Sequence, residues 1–267
     1  MRLDKYLFEH GYADSRNRAS EMIKSGKVSL NGKLAGKTAL EVTEADEIKI
    51  SDDILKYVSR AALKLAAALE RTGLVLDGAT AADLGASTGG FTEVLLEHGV
   101  KRVHAIDIGH GQLHPKLAAD TRVISLEGTN ARTVTPELIG GKADIVCADL
   151  SFISQTLVHE AISAILKEGG IFIGLIKPQF EAGREHIGKG GIVKDRKVHI
   201  KVIENTVARA AAHGLSCFYL EVSPITGGDG NTEFLSGYVK HRDTYIPSRC
   251  EIESIVNGGV LLRKISH

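Results

Sequence analysis

The stretch that decides the fold of this chain reads Asp83-Leu84-Gly85-Ala86-Ser87-Thr88-Gly89-Gly90-Phe91-Thr92. It follows a short apolar strand and opens a helix, so small residues and free backbone N–H groups meet in one turn. Such a turn is typical of nucleotide-type cofactor sites, although a tight strand-to-helix connection needs glycine for its geometry alone. A second predicted strand ends in Asp107, 24 residues after Asp83, where folds of this kind hydrogen-bond a ribose diol. The two signals together favour a cofactor site.

The composition is that of an ordinary folded protein. The 267 residues are 43% hydrophobic and 25% charged, which is enough apolar material for one full domain and a smaller one. The formal net charge is zero, so a nucleic acid would have to be bound by a local basic surface. Three widely spaced cysteines, Cys147, Cys217 and Cys250, favour a reducing cytoplasm. We expect neither a signal peptide nor a membrane span, and the eleven histidines show no metal-binding pattern, so we predict no metal site.

Residues 1–53 carry the pattern of a small α+β domain. Leu3 and Leu7 indicate a short helix, Ser15 caps a second helix from Arg16 to Lys24, and an Asn-Gly pair at positions 31–32 predicts a hairpin. Basic residues gather on the second helix and the hairpin, whereas the next segment is acidic. From the charges alone, a solvated face and an RNA-binding surface both remain open.

The rest of the chain alternates apolar strands with helices, which predicts a mostly parallel sheet with helices on both faces. Residues 54–58 are the expected linker, 59–240 the main domain and 241–267 a C-terminal extension that either packs back or mediates association. The predicted strands are 79–84, 101–107, 121–126, 143–149, 170–176, 215–222 and 233–240.

Charged residues follow two of these strands. Asp149 ends one predicted strand and Lys177 follows the next, so both lie at the sheet edge where the cofactor is expected. Lys64 lies on the helix before the cofactor strand, and Glu233 starts the last predicted strand. Taken singly, each of these residues is most simply a solvated surface charge.

The N-terminal segment resembles the S4-type RNA-binding module of ribosomal proteins. The matching segments are residues 2–7, 15–19 and 23–32. This resemblance implies binding to folded RNA through phosphate contacts and shape, with little reading of bases. The residues expected to bind RNA are Arg2, Lys5, Arg16, Arg18, Lys24 and Lys27, together with Arg184 and Lys189 of a glycine-rich basic loop in the main domain.

The order Lys64, Asp149, Lys177, Glu233 resembles the Lys-Asp-Lys-Glu tetrad of FtsJ-type ribose 2′-O-methyltransferases. Combined with the N-terminal module, residues 1–240 resemble the TlyA family, ribosomal RNA methyltransferases often labelled hemolysins. The resemblance implies a Rossmann-like methyltransferase sheet ending in an antiparallel strand, S-adenosylmethionine as cofactor, and a cytidine ribose of ribosomal RNA in the cytoplasm as target. It leaves the oligomeric state open.

The resemblance assigns a role to each tetrad residue. Lys177 would be the base or the anchor of the 2′-hydroxyl, and a neighbouring cation and partial desolvation both favour a neutral amine there. Lys64 would bias Lys177 and contact the substrate. Asp149 would orient the two amines and face the cofactor, and Glu233 would hold the tetrad together. The residues expected to bind the cofactor are Asp83, Gly85, Ser87, Thr88, Gly89, Gly90, Phe91, Asp107, Asn130 and Asp149.

Two residues of this set suit structural roles equally well. An Asx turn accounts for Asn130 as well as an adenine contact does, and Phe91 suits the core. Two rival functions also stay open: a membrane-lytic protein, which the hemolysin label suggests, and an RNA-binding ribosome-assembly factor without turnover.

Overall fold

The computed structural model describes residues 1–13, 15–24, 26–50, 57–227, 230–241 and 243–265. The chain forms two compact units, Met1–Arg60 and Ala61–His267. Of the predicted linker, residues 54–56 lie outside the described residues, and only Tyr57 and Val58 are described.

The first unit is built from two helices and a small sheet. Its elements are α1 (Leu3–Glu9), α2 (Arg16–Lys24), β1 (Val28–Leu30), β2 (Lys33–Leu34) and β3 (Ile48–Ile50), with β1 between β2 and β3 in an antiparallel sheet. The predicted hairpin is confirmed, because Asn31 and Gly32 both adopt positive φ, at 50° and 76°, as a two-residue turn requires. Ala19, Met22 and Ile23 of α2 pack in the core with Leu3 and Leu7.

The second unit is an α/β domain around one eight-stranded sheet. Its helices are α3 (Ala62–Thr72), α4 (Gly90–Glu97), α5 (Pro115–Ala118), α6 (His159–Ile165), α7 (Pro178–Glu181), α8 (Arg196–Ala212) and α9 (Arg249–Val256). Its strands are β4 (Thr80–Leu84), β5 (Arg102–Ile106), β6 (Val123–Leu126), β7 (Ala143–Ala148), β8 (Leu166–Ile176), β9 (Leu215–Val222), β10 (Phe234–Lys240) and β11 (Val260–Leu262).

The strand order is β11-β9-β10-β8-β7-β4-β5-β6. The pairs among β4, β5, β6, β7 and β8 are parallel, whereas β10 is antiparallel to both β8 and β9. The predicted mostly parallel sheet with an antiparallel strand is therefore confirmed. The main core joins the apolar strands β7, β8 and β10 to the buried face of α8, which includes Ile200, Ile203 and Val207.

Two boundaries differ from the sequence prediction, and the C-terminal extension follows one of its two expected alternatives. The helical pattern of the sequence starts at Ser59, but the first helix of this unit begins at Ala62, because the residues before it form bends and turns. Strand β8 begins at Leu166, four residues before the predicted start. Residues of the C-terminal extension form α9 and β11, and β11 adds an antiparallel strand beside β9, so this segment packs on the body of its own unit.

The sheet order creates a switch point between β4 and β7. From β4 the chain continues to β5 and β6 on one side, and it then returns to β7 and β8 on the other. Ligands of open α/β sheets bind outside the carboxyl ends of the strands at such a point. The register aligns Leu84 with both Ile106 and Ala148, so the residues that follow these strands come to one edge.

Candidate functional site

The glycine-rich turn after β4 is closed by a hydrogen bond between its two ends. The hydroxyl of Thr92 in α4 donates to Oδ2 of Asp83 over 2.7 Å, and Asp83 is fully buried. Gly89 has a φ of 94°, and a Cβ atom there would lie 2.3 Å from Cδ1 of Leu117 in α5. The turn therefore needs glycine at position 89 both for its backbone conformation and for packing.

Asp107 anchors two loops with its carboxylate. Its Oδ2 accepts a hydrogen bond from the Ser87 N–H over 2.8 Å, and its Oδ1 accepts one from the Gly109 N–H over 2.7 Å. Because a carboxylate offers about four lone-pair directions, further acceptor capacity remains for the hydroxyls of a ligand.

A cleft of about 440 Å³ lies at the switch point. Its volume is in the range of small-molecule sites. Half of the residues predicted to bind a cofactor line it, namely Gly85, Ser87, Asp107, Asn130 and Asp149. The others build the turn and the start of α4, and among the described residues they are not part of the lining: Asp83, Thr88, Gly89, Gly90 and Phe91.

Two predicted cofactor residues have clear structural duties. Oδ1 of Asn130 accepts a hydrogen bond from the Arg132 N–H over 3.0 Å, so the Asx turn is present although Asn130 also lines the cleft. Phe91 is buried in the apolar face of α4. At Gly85 the glycine-rich turn packs against the loop after β7, because a Cβ there would lie 3.1 Å from the carbonyl oxygen of Asp149.

The four tetrad residues form one continuous chain of ion pairs beside the cleft. Lys64 Nζ lies 2.7 Å from Oε2 of Glu233 and 3.5 Å from Oδ2 of Asp149. Lys177 Nζ lies 2.5 Å from Oδ1 of Asp149. The structure thus brings together residues that are as far apart in the chain as Lys64 and Glu233, which are separated by 169 positions.

The four charges of the ion-pair chain balance. Each of the four side chains is at most 14% exposed, and the two cations alternate with the two anions. Burial raises the pKa of the Asp149 carboxyl and the two lysines lower it; the lysines prevail, so its pKa lies below the ordinary value. Of these four residues, Asp149 is the one that lines the cleft. The ion-pair chain therefore meets the ligand space at this carboxylate.

Neighbouring polar residues extend the cluster, and the sequence analysis missed them. Nζ of Lys177 lies 3.4 Å from the Ser151 hydroxyl oxygen, and Nε2 of Gln179 donates to Oε1 of Glu233 over 3.1 Å. Ser151 lines the cleft. Both residues lie within two positions of a predicted one, so their place in the loop was the available signal.

Phe152 is a third residue that the sequence analysis missed. Its side chain lines the cleft and is 87% exposed, and its φ is 67°, a conformation that a bulky residue rarely adopts. The ring lies 5.3 Å from the ring of Phe180, centroid to centroid. An aromatic ring held in water beside a cleft is available to stack on a flat ligand.

The residues predicted to bind RNA have different surroundings. Asp4 is buried and forms ion pairs with Arg2 at 2.9 Å and with Arg16 at 3.0 Å. Hydrogen bonds from these arginines lower the pKa of Asp4 to about 2, against the effect of burial. Lys5 pairs with Glu9 at 3.5 Å, and the Arg18 guanidinium donates to the carbonyl of Tyr57. Among the other predicted residues, Lys24, Arg184 and Lys189 are exposed and Lys27 is half-buried.

Two classes of feature are missing from the described part of the chain. No group of three or more His, Cys, Asp or Glu side chains there is placed to hold a metal ion. No helix within the described ranges combines the length and apolar character that a membrane span needs.

Comparison with known proteins places both units in families. Residues 57–240 match the family model of FtsJ-like methyltransferases, and residues 1–48 match that of the S4 domain. A Mycobacterium tuberculosis protein named 16S/23S rRNA (cytidine-2′-O)-methyltransferase TlyA is 42% identical over 87% of this chain and 87% of its own length. Hemolysin A of Brachyspira hyodysenteriae is 39% identical over 90% of this chain and all of its own length.

A solved structure agrees with these relatives. A candidate hemolysin of Streptococcus thermophilus superposes with a TM-score of 0.78 at 39% identity, over 96% of this chain and 94% of that protein. The resemblance found in the sequence is thereby confirmed. The chain belongs to the TlyA family, which joins an S4 domain to an FtsJ-like methyltransferase domain.

Proposed function

We propose that this protein is an S-adenosylmethionine-dependent methyltransferase that methylates the ribose 2′-hydroxyl of a cytidine in ribosomal RNA. The observation that carries the proposal is the ion-pair chain Glu233–Lys64–Asp149–Lys177, which reaches the cleft at Asp149. The family, the S4 domain and the names of the relatives from Mycobacterium tuberculosis and Campylobacter jejuni support it.

The residues of the cleft fit this cofactor. Asp107 keeps acceptor capacity for the two ribose hydroxyls, and Gly85 lines the cleft. Asp149, which lines the cleft, would supply a negative charge to a cofactor that carries a cationic sulfur. When bound, S-adenosylmethionine supplies an electrophilic methyl group, so the protein has to position the hydroxyl and remove its proton.

Lys177 is the amine placed for that proton. It is the lysine of the tetrad that approaches Ser151 of the cleft lining. As the ammonium that pairs with Asp149, it can donate to the oxygen of a 2′-hydroxyl and orient it. To act as base, it first releases its own proton and then accepts that of the hydroxyl as the new O–C bond forms. The resulting ammonium would lie 2.5 Å from the Asp149 carboxylate, which stabilises it. Glu233 pairs with Lys64 at 2.7 Å, and this pairing leaves Asp149 available to Lys177.

The test is methyl transfer to ribosomal subunits. Purified protein, labelled S-adenosylmethionine and small or large subunits are incubated, and 2′-O-methylcytidine is measured after nuclease digestion. We expect Lys177→Ala to lower transfer at least about a hundredfold, in the range of lost general acid–base catalysis. Lys142→Ala, at an exposed residue before β7 on the opposite edge of the sheet, is the matched control and should retain full activity.

Near-normal transfer by the Lys177 variant would remove the assignment of this lysine. If the wild-type protein forms no 2′-O-methylcytidine on either subunit, the proposed reaction itself is wrong.

The proposed substrate also indicates where the protein acts. Ribosomal RNA is a cytoplasmic substrate in bacteria, which fits the free thiols of Cys147, Cys217 and Cys250. The name hemolysin makes a second assay useful. Leakage of a dye from lipid vesicles should stay at the background level when purified protein is added.

A further inference from the structure

We propose that the start of α8 is a phosphate-binding surface for the RNA strand that flanks the target nucleotide. This α8 basic surface consists of Lys194, Lys197 and Lys201, and the proposal rests on the proposed function. It extends RNA binding in the methyltransferase unit beyond the residues expected from the sequence.

The α8 basic surface begins beside the ion-pair chain. Oδ1 of the buried Asn231 accepts a hydrogen bond from the Val193 N–H over 3.0 Å, and its Nδ2 donates to the Gly191 carbonyl over 3.0 Å. Asn231 precedes Glu233 by two positions. In the first turns of α8, the ring of His199 lies 5.5 Å from that of Phe234, centroid to centroid. These contacts hold the segment directly before Lys194 against the segment that carries Glu233.

The three lysines are exposed and carry uncompensated charge. Within the described residues, none of them forms an ion pair with an acid, unlike Arg2 and Arg16 of the first unit. Asp195, next to Lys194 in the sequence, caps α8 by accepting from the Lys197 N–H, and Glu204 pairs with Arg249.

The positions of these lysines oppose helix stability. The first turn of α8 contains cations and no acid, and the negative charge that the helix dipole favours comes from the N-cap residue Asp195. Lys197 and Lys201 are one turn apart on the same side, where like charges repel. A like-charge pair that forms no ion pair with an acid among the described residues favours a role in binding a negatively charged ligand.

The chemistry of α8 favours RNA over a lipid surface. A helix that lies on a membrane needs an exposed apolar face, but Ile200, Ile203 and Val207 of α8 are buried in the core. The exposed side presents only the cations and small or polar residues such as Asn205 and Ala208. Such a surface can neutralise phosphates, and it has no apolar side chains to insert between acyl chains.

The experiment measures RNA affinity against salt concentration for the variant Lys194→Gln/Lys197→Gln/Lys201→Gln. The probe is purified ribosomal RNA, and binding is measured without cofactor from 50 to 300 mM KCl. We expect binding at low salt to weaken by about tenfold or more, and the slope of log K against log salt to flatten by about 0.7 to 0.9 for each lost phosphate contact. The KM for ribosomal subunits should rise, whereas binding of S-adenosylmethionine should stay unchanged, since the three residues lie outside the cleft lining.

The matched control removes the same charge elsewhere. Lys101→Gln/Arg102→Gln/Lys142→Gln neutralises three exposed cations at the amino ends of β5 and β7, the opposite edge of the sheet. Its affinity and salt slope should equal those of the wild type. Equal losses in both variants would show a general charge effect and overturn the proposal.

Three further outcomes test the assignment of the α8 basic surface to RNA. An unchanged salt slope in the α8 variant overturns the proposal while leaving the methylation assay intact. Loss of binding to phosphatidylserine vesicles, with RNA binding unchanged, would assign the surface to lipid instead. If the wild-type protein binds RNA without methylating it, the proposed function fails and the α8 basic surface is still tested by its affinity.

Discussion

The carboxylate of Glu181 accepts a hydrogen bond from the hydroxyl of Ser154, and its second oxygen accepts one from the Gln155 N–H over 2.6 Å. Glu181 ends α7, the helix that begins directly after Lys177, and Ser154 ends the loop that carries Asp149 and Ser151. Burial raises the pKa of Glu181, and the two hydrogen bonds oppose that rise. The contact thus fixes the two loops on which the Lys177–Asp149 ion pair depends.

We expect Glu181→Ala to lower kcat by about tenfold to a hundredfold with little change in the KM for either substrate, because small misplacements of reacting groups have effects of that size. Glu181→Gln should restore most of the activity, since the amide oxygen still accepts from the Gln155 N–H and the amide nitrogen can donate to Ser154. Steady-state kinetics on ribosomal subunits measure both variants. An inactive Gln variant would mean that the negative charge of Glu181, rather than its contacts, is required.

The contributions of the ion-pair chain to stability and to catalysis can be measured separately. Lys64→Met leaves Glu233 buried and without its cation, which should lower the free energy of unfolding by about 3 to 5 kcal/mol. Adding Glu233→Gln removes the uncompensated charge and should recover much of that loss. Methyl transfer should remain low in both variants because the chain of ion pairs is broken. Urea unfolding and the methylation assay test this together, and recovered activity in the double variant would contradict it.

Asp83 should make stability depend on pH. Burial raises the pKa of its carboxyl to about 7, while the pKa of this carboxyl in the unfolded chain is ~3.9. Between these values the folded state holds a proton that the unfolded state has lost. The contribution of Asp83 to the free energy of unfolding is therefore complete below about pH 4. It falls as the pH rises through 7, by up to about 1.4 kcal/mol per pH unit.

Asp83→Asn should flatten this dependence and stabilise the protein above pH 7, because the amide oxygen can still accept from Thr92. Urea unfolding at pH 5, 6.5 and 8 measures the effect. Asp77→Asn, at an exposed acid, is the control and should leave the pH dependence unchanged. Identical curves for wild type and Asp83→Asn would show that Asp83 is ionised in the fold.

Asp107 should control cofactor affinity. Replacing it by alanine removes the acceptor for the Ser87 and Gly109 N–H groups as well as the acceptor for a ligand diol. We expect binding of S-adenosylmethionine to weaken by about tenfold to a hundredfold, the size of one or two hydrogen bonds to a charged group. Calorimetric titration measures it, with Asp120→Ala, at a loop acid paired with Arg122, as the control.

Local patterns predicted the elements that local chemistry determines. The hairpin at Asn31-Gly32 and the helix from Arg16 to Lys24 have turn and capping residues of their own, and the structure has both. The edge residues Asp107 and Asp149 were predictable because every parallel strand delivers its carboxyl end to the same side.

Long-range features were not accessible in this way. Lys64 and Glu233 look like surface charges in the sequence, and only the family resemblance joined them. Asp83 has the pattern of a ligand-binding acid, yet it is buried against Thr92, because burial depends on the whole sheet. The strand β11 is a short apolar run whose partner β9 lies far back in the chain.

That pairing has a consequence for biosynthesis. The strand β11 begins 38 residues after β9 ends, so until β11 is synthesised the eight-residue strand β9 is an unpaired border of the sheet. Afterwards the border is β11, which has three residues. Unpaired borders of this kind attract other strands and promote aggregation. The strand β11 therefore covers the backbone of β9, and a chain that terminates before β11 should aggregate more readily than the full-length chain.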